Sequence, residues 1–216
     1  MKGLLLKDWY QVKGSMKTMY LTVALVLAIW ALSTSSSYVF PVSYAAIFLG
    51  ILPVNLLTYD QNSGWIEYGW TLPVSKKTLV AEKYLVGLLC VAAAVVVDGS
   101  FVAVLSLRRG TAIDSAALFI IANSISTILL MNSISLPLMY RFGAEKARMI
   151  YILSFAGFGA LLGGFGALMD EVQTNSAAEW LRYAPAWLAA VFLVTAVLVY
   201  AVSWRVSVAW YGKYRK

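Results

Sequence analysis

Apolar residues run in long unbroken blocks along this chain, and the polar residues gather in the short stretches between them. Residues 18–59 carry no formal charge, residues 84–107 hold one acid, Asp98, and residues 115–140, 149–169 and 183–204 hold none. About 20 apolar residues wound as a helix cross the hydrocarbon core of a bilayer, where backbone groups must be satisfied within the segment itself. The 18–59 block is too long for one span and fits two short ones, with Ser33–Ser37 as the turn. The pattern predicts an all-α, polytopic membrane protein. It forms a single transmembrane domain over 1–216, with spans at 18–34, 43–59, 84–107, 115–140, 149–169 and 183–204. Pro53 removes a backbone donor inside the second span and predicts a kink there.

Two segments break the apolar pattern on the same side of these spans. Residues 1–17 hold four lysines and one aspartate; a helix there puts Leu5, Trp9, Val12 and Met16 on one face and Lys7, Gln11 and Gly14 on the other. That division suits a helix lying in the membrane interface. Residues 60–83 mix Asp60 and Glu67 with Trp65, Ile66, Tyr68, Trp70 and Leu72. A connecting loop does not need so much aromatic surface. Rigid aromatic anchors dominate protein interfaces, so this segment reads as a docking element for another protein. The plainer alternative is an aromatic belt at the lipid surface. Ser75, after Pro73, is a fitting N-cap for a helix starting near Lys76.

Charge fixes the expected orientation. With the N-terminus cytoplasmic, the inner segments hold fourteen of the 17 cations, and only Arg108, Arg109 and Arg182 lie outside. Both termini are therefore expected in the cytoplasm, and the net charge of +7 needs no nucleic acid to explain it. In the fifth span, Gly159 with Gly163 and Ala160 with Gly164 are small-residue pairs that let backbones approach, within one chain or across a dimer seam. Ser176–Glu179 has the form of a capping box and predicts a short external helix before the last span. The tail interleaves Trp204, Trp210, Tyr211 and Tyr214 with cations, as an interfacial anchor does.

Candidate chemistry is sparse. The chain has no histidine, one cysteine (Cys90) and no phosphate-binding glycine loop, and nothing in it groups as a metal site. Asp170 and Glu171 read as a solvated turn rather than a catalytic pair. Asp98 sits roughly 20 Å along its span, and an acid at that depth is costly enough to suggest a function. With Asn123 and Asn132 it marks a candidate polar pathway. The competing reading pairs it with Ser100 or with the polar groups of the fourth span (Asn123, Ser124, Ser126, Thr127), which otherwise serve as interhelical glue.

Three stretches carry a family resemblance: Met1–Tyr10; Tyr59-Asp60 to Gly64-Trp65; and Leu72-Pro73-Val74-Ser75-Lys76-Lys77 to Val80, with Glu82-Lys83-Tyr84. In these, and in length and topology, the chain resembles the small permeases of the type-2 ABC exporter superfamily, similar to those of the phenol-soluble-modulin exporter. The resemblance implies a six-helix half-permease that pairs with a second permease copy, identical or similar. It implies a separate ATP-binding cassette subunit, where ATP and Mg would be held, with no cofactor in this chain. It also implies an N-terminal elbow helix at 1–17, a cytoplasmic coupling helix at about Asp60–Leu72, and residence in the bacterial cytoplasmic membrane. The expected cargo is an amphipathic or hydrophobic peptide, lipid or drug. Two other classes compete: a membrane-embedded enzyme, which the absent histidine disfavours, and a stand-alone ion-coupled carrier built on Asp98.

Overall fold

A computed structural model describes residues 2–15, 17–32, 39–110, 115–143, 149 and 185–211. Among these there is no strand. The helices are α1 (Lys2–Ser15), α2 (Lys17–Leu32), α3 (Val39–Asn62), α4 (Trp65–Gly69), α5 (Lys76–Arg109), α6 (Ser115–Phe142) and α7 (Pro185–Trp210). Four described helices contain stretches long and apolar enough to cross a membrane: Phe40–Asn62, Lys76–Arg108, Ala117–Phe142 and Ala190–Trp210. Tyr20–Leu32 is a shorter apolar helix. The protein is an all-helical, polytopic membrane protein. The fifth span and the external helix expected before the last span lie outside the described residues.

Local chemistry explains the element ends. Ser75 is extended, and its Oγ accepts from the Thr78 N–H at 3.2 Å, capping α5 as its place after Pro73 predicts. At the other end Gly110 takes a left-handed conformation (φ 65°) that closes the helix. Pro53 lies inside α3 and Pro137 inside α6, and both helices continue past them. The helical part of the expected coupling segment is narrower than Asp60–Leu72. Helix α3 continues to Asn62, Gly64 turns the chain at φ 71°, and α4 then lasts five residues. Asp60 therefore belongs to the end of a span and Leu72 to the turn beyond α4.

Helix α6 is the central element, packed on α3, α5 and most extensively on α7. The largest buried apolar cluster joins Leu57 of α3, Val80 and Tyr84 of α5, Leu136 and Met139 of α6, and Tyr200 of α7. A second joins α3 to α5 through Leu49, Leu56, Val86 and Cys90. The outer faces of α2, α5 and α7 carry exposed leucines, valines and isoleucines, suited to lipid. The 34 residues of α5 give it a length of roughly 50 Å, against about 30 Å for a hydrocarbon core. The excess is about 20 Å, and the charged first turns, which hold Lys76, Lys77, Glu82 and Lys83, are the part that suits the membrane surface. There they meet α1, α4 and the C-terminal ends of α3, α6 and α7.

Candidate functional site

At this end, α1 supplies Lys7 and Asp8, α3 supplies Asp60, and α5 supplies Glu82 and Lys83. Adjacent residues on a helix point about 100° apart, so each pair can reach two neighbours at once. Lys7 Nζ lies 2.6 Å from both Asp60 carboxylate oxygens and 3.1 Å from Asp8. Lys83 Nζ lies 2.7 Å from both oxygens of Asp8 and 2.7 Å from Asp60. Glu82 Oε1 stands farther off, 3.6 Å from Lys83 and 3.8 Å from Lys7, and accepts no hydrogen bond among the described residues. The Lys83 side chain is only 2% exposed and those of Asp8, Asp60 and Glu82 no more than 5%, while Lys7 is 21% exposed. The Lys83 pairs are therefore almost fully desolvated and the Lys7 pairs partly so. Such a cluster holds only while its partners stay matched, because an unpaired buried charge costs several kcal/mol.

Electrostatics separates the members. Burial lifts the Glu82 carboxyl to about 7; Lys83 and Lys7 pull it down, while Asp8 adds to the rise. For Lys83 burial works downward, but Glu82, Asp60 and Asp8 together outweigh it and raise the ammonium above its ordinary value. Lys83 is thus a fixed cation, and Glu82 is the member poised to titrate near neutrality.

Helix α4 rests on this cluster. Lys7 Nζ sits 4.7 Å from the centre of the Trp65 ring, a cation–π contact. Trp65 and Ile66 pack against the main apolar cluster, and Gly69 is buried with Leu79 close by. Glu67, Tyr68 and Trp70 face outward, Tyr68 55% exposed. Trp70 is tied at one edge, donating from Nε1 to the Tyr211 hydroxyl at 3.1 Å, with Lys76 5.9 Å from its ring centre. A cavity of about 20 Å³ lies beneath, lined by Asp60, Trp65, Glu82, Lys83, Tyr140 and Tyr211 among others.

The residues expected to dock a partner therefore divide. Glu67, Tyr68 and Trp70 are presented; Trp65 and Ile66 are half-buried seats; Asp60 is 4% exposed and engaged inward. The inward face of α1 also differs from the expected division. Leu5 and Val12 of the expected apolar face pack inward on the α3–α5 cluster, but Trp9 points out with Leu6 and Tyr10, while Leu4 and Asp8 point in and Asp8 pairs with Lys83. Sequence reading missed the cluster. Lys7, Asp8, Glu82 and Lys83 each looked like an ordinary interfacial charge, although oppositely charged neighbours at 7–8 and 82–83 were a usable signal.

Farther along α5, Asp98 is fully buried and accepts from Ser124 Oγ of α6 at 2.8 Å. That is one of the fourth-span partners foreseen for it. Its Oδ1 has no hydrogen-bond partner among the described residues. Asn132 is also fully buried; its Nδ2 donates to the Ile128 carbonyl at 2.9 Å and its Oδ1 is unmatched there. Asn123 is half-buried on the same helix. Much of the expected interhelical glue bonds its own helix instead: Ser126, Thr127 and Ser133 each donate to the carbonyl four residues back. The links to α7 include Tyr84, whose hydroxyl meets Ser203 and Ser207 at 2.6 and 2.7 Å, Tyr200, which donates to the Tyr84 carbonyl at 2.6 Å, and Ser203, whose hydroxyl donates to the Ser133 carbonyl of α6 at 2.6 Å. Gly159, Ala160, Gly163 and Gly164 lie outside the described residues. No group of residues that could hold a metal ion occurs among the described residues.

The family profile of ABC-2 family transporter proteins matches residues 3–212. No curated protein and no solved structure matches at a significant level.

Proposed function

The chain belongs to the ABC-2 family of transporter proteins, and from that premise we propose that it is the membrane subunit of an ATP-driven exporter, with α4 as the seat of a separate ATP-binding subunit. The observation that carries this reading is the division of α4: Glu67, Tyr68 and Trp70 face outward while Trp65 is held against Lys7. A helix that only filled the interface would need no ionic footing. Here a push on the outer face passes through Trp65 to Lys7, and from there through Asp60, Asp8 and Lys83 into α3, α1 and α5.

ATP and Mg belong to the partner, whose closure supplies the force; this chain is a transport subunit rather than an enzyme. Its spans then exchange two packings and expose an amphipathic or hydrophobic cargo (peptide, lipid or drug) to the outside. Two permease copies form the pathway in the bacterial cytoplasmic membrane, with Gly159 and Gly163 as the close-approach positions between or within them. Asp98, Asn123 and Asn132 provide polar points along α5 and α6 for that cargo.

The test is partner capture. Glu67→Lys should leave membrane insertion and permease mass unchanged and should sharply reduce co-purification of the ATP-binding subunit. Undiminished capture would remove α4 as the docking site.

A further inference from the structure

Four observations at the joint are left unused by a purely mechanical role. Three carboxyls, Asp8, Asp60 and Glu82, share the site with two ammoniums, Lys7 and Lys83, so full ionisation leaves one negative charge in excess. Glu82 is 3% exposed, and its Oε1 accepts no hydrogen bond among the described residues. The adjoining cavity of about 20 Å³ is large enough for one water, which would connect Glu82 to a proton donor. Finally, Glu82 and Trp65 of α4 line the same cavity.

We propose that Glu82 is a proton switch for the joint, which is closed while its carboxyl is protonated and loosened when it ionises. In the acid form the two lysines are matched by Asp8 and Asp60, and Glu82 adds no charge to the site. Loss of the proton sets three carboxylates against each other in a desolvated space. The repulsion weakens the hold of Asp60 and Asp8 on Lys7, and with it the footing of Trp65. The groups facing Glu82 are Lys7 and Asp8 from α1, Asp60 from α3, Lys83 from its own helix, Tyr140 from α6 and Tyr211 after α7; α4 contributes Trp65 and Ile66, neither titratable. With the Glu82 carboxyl raised to about 7, the switch operates around neutral pH. The permease's grip on α4 thereby becomes sensitive to the pH on the docking side. This rests on the coupling role of α4 only for its consequence, since the switch itself needs no partner.

The test uses the purified full-length permease in nanodiscs, with a nitroxide on Tyr68→Cys in a Cys90→Ala background and no ATP-binding subunit present. The mobile fraction of the label should rise from pH 5.5 to 8.5 with one midpoint near 7. Glu82→Gln should hold the label immobile throughout, while Glu67→Gln, on α4 itself, should leave the transition in place. No transition in the parent protein, a transition that survives Glu82→Gln, or one abolished by Glu67→Gln overturns the switch. Should Glu82→Gln fail to insert, Asp8→Asn decides: removing the like charge must move the midpoint to lower pH, and an unmoved midpoint rejects the proposal. Partner capture and label mobility are separate readouts, so the docking role and the switch can fail independently.

Discussion

At the joint, five ionisable side chains from three helices share one largely buried space, whereas two-thirds of the way along α5 Asp98 is met, among the described residues, by the hydroxyl of Ser124. Both sites bury ionisable groups, and they manage them differently. The joint neutralises charge with charge at 2.6–2.7 Å, which fixes geometry and makes each member depend on the others. Asp98 has no cation beside it among the described residues, and its second oxygen lacks a partner there. A matched cluster suits an element that must transmit force without distortion. A half-satisfied carboxyl suits a place where a passing group supplies the missing partner.

The comparison breaks first at Lys83. Lys83→Met leaves Asp8 and Asp60 sharing a single lysine in a buried site, a loss of about 3–5 kcal/mol. The folded yield should collapse, with partial recovery when Asp8→Asn is added; a melting temperature unchanged in detergent would mean that the joint is not a matched unit.

A change between the two sites ranks next. A Cβ on Gly87 would collide with the Tyr200 hydroxyl, which bonds the Tyr84 carbonyl. Gly87→Ala should cost about 1–3 kcal/mol by forcing α7 from α5, and adding Tyr200→Phe, which deletes the colliding atom, should return most of the lost melting temperature. Ser124→Ala removes the hydrogen bond that the structure gives Asp98 and should cost about 1–2 kcal/mol. The smallest effect is expected from Asp98→Asn, which keeps an acceptor for Ser124 and removes the charge. Its stability should stay within about 1 kcal/mol of the parent, while transport of a cationic amphipathic probe should fall. A large loss of stability with transport intact would reverse the contrast drawn between the two sites.

These two regions also show what the sequence could and could not convey. Asp98 was legible because a lone acid in a charge-free block has no ordinary explanation. Helix class, the long apolar elements and the Ser75 cap were legible for the same reason: each is written in a local pattern. The joint was not. Lys7 and Lys83 stand 76 positions apart, and although each has an acid as its neighbour, nothing in the sequence says that the two pairs meet. The shortness of α4 was legible, because Gly64 and Gly69 bracket its aromatic residues and mark a short helix; what stayed hidden is that α3 runs on to Asn62 and takes Asp60 with it.

The central claim is that α4, rather than aromatic surface in general, receives the ATP-binding subunit. Tyr68 on α4 is 55% exposed and Tyr10 on α1 is 65% exposed, so the two tyrosines offer similar free surface at the same end of the protein. The deciding measurement is the concentration of permease that half-maximally stimulates the partner's ATPase. Tyr68→Ala should raise it roughly tenfold or more, and Tyr10→Ala should leave it unchanged. Equal shifts for both, or none for Tyr68→Ala, would contradict the account.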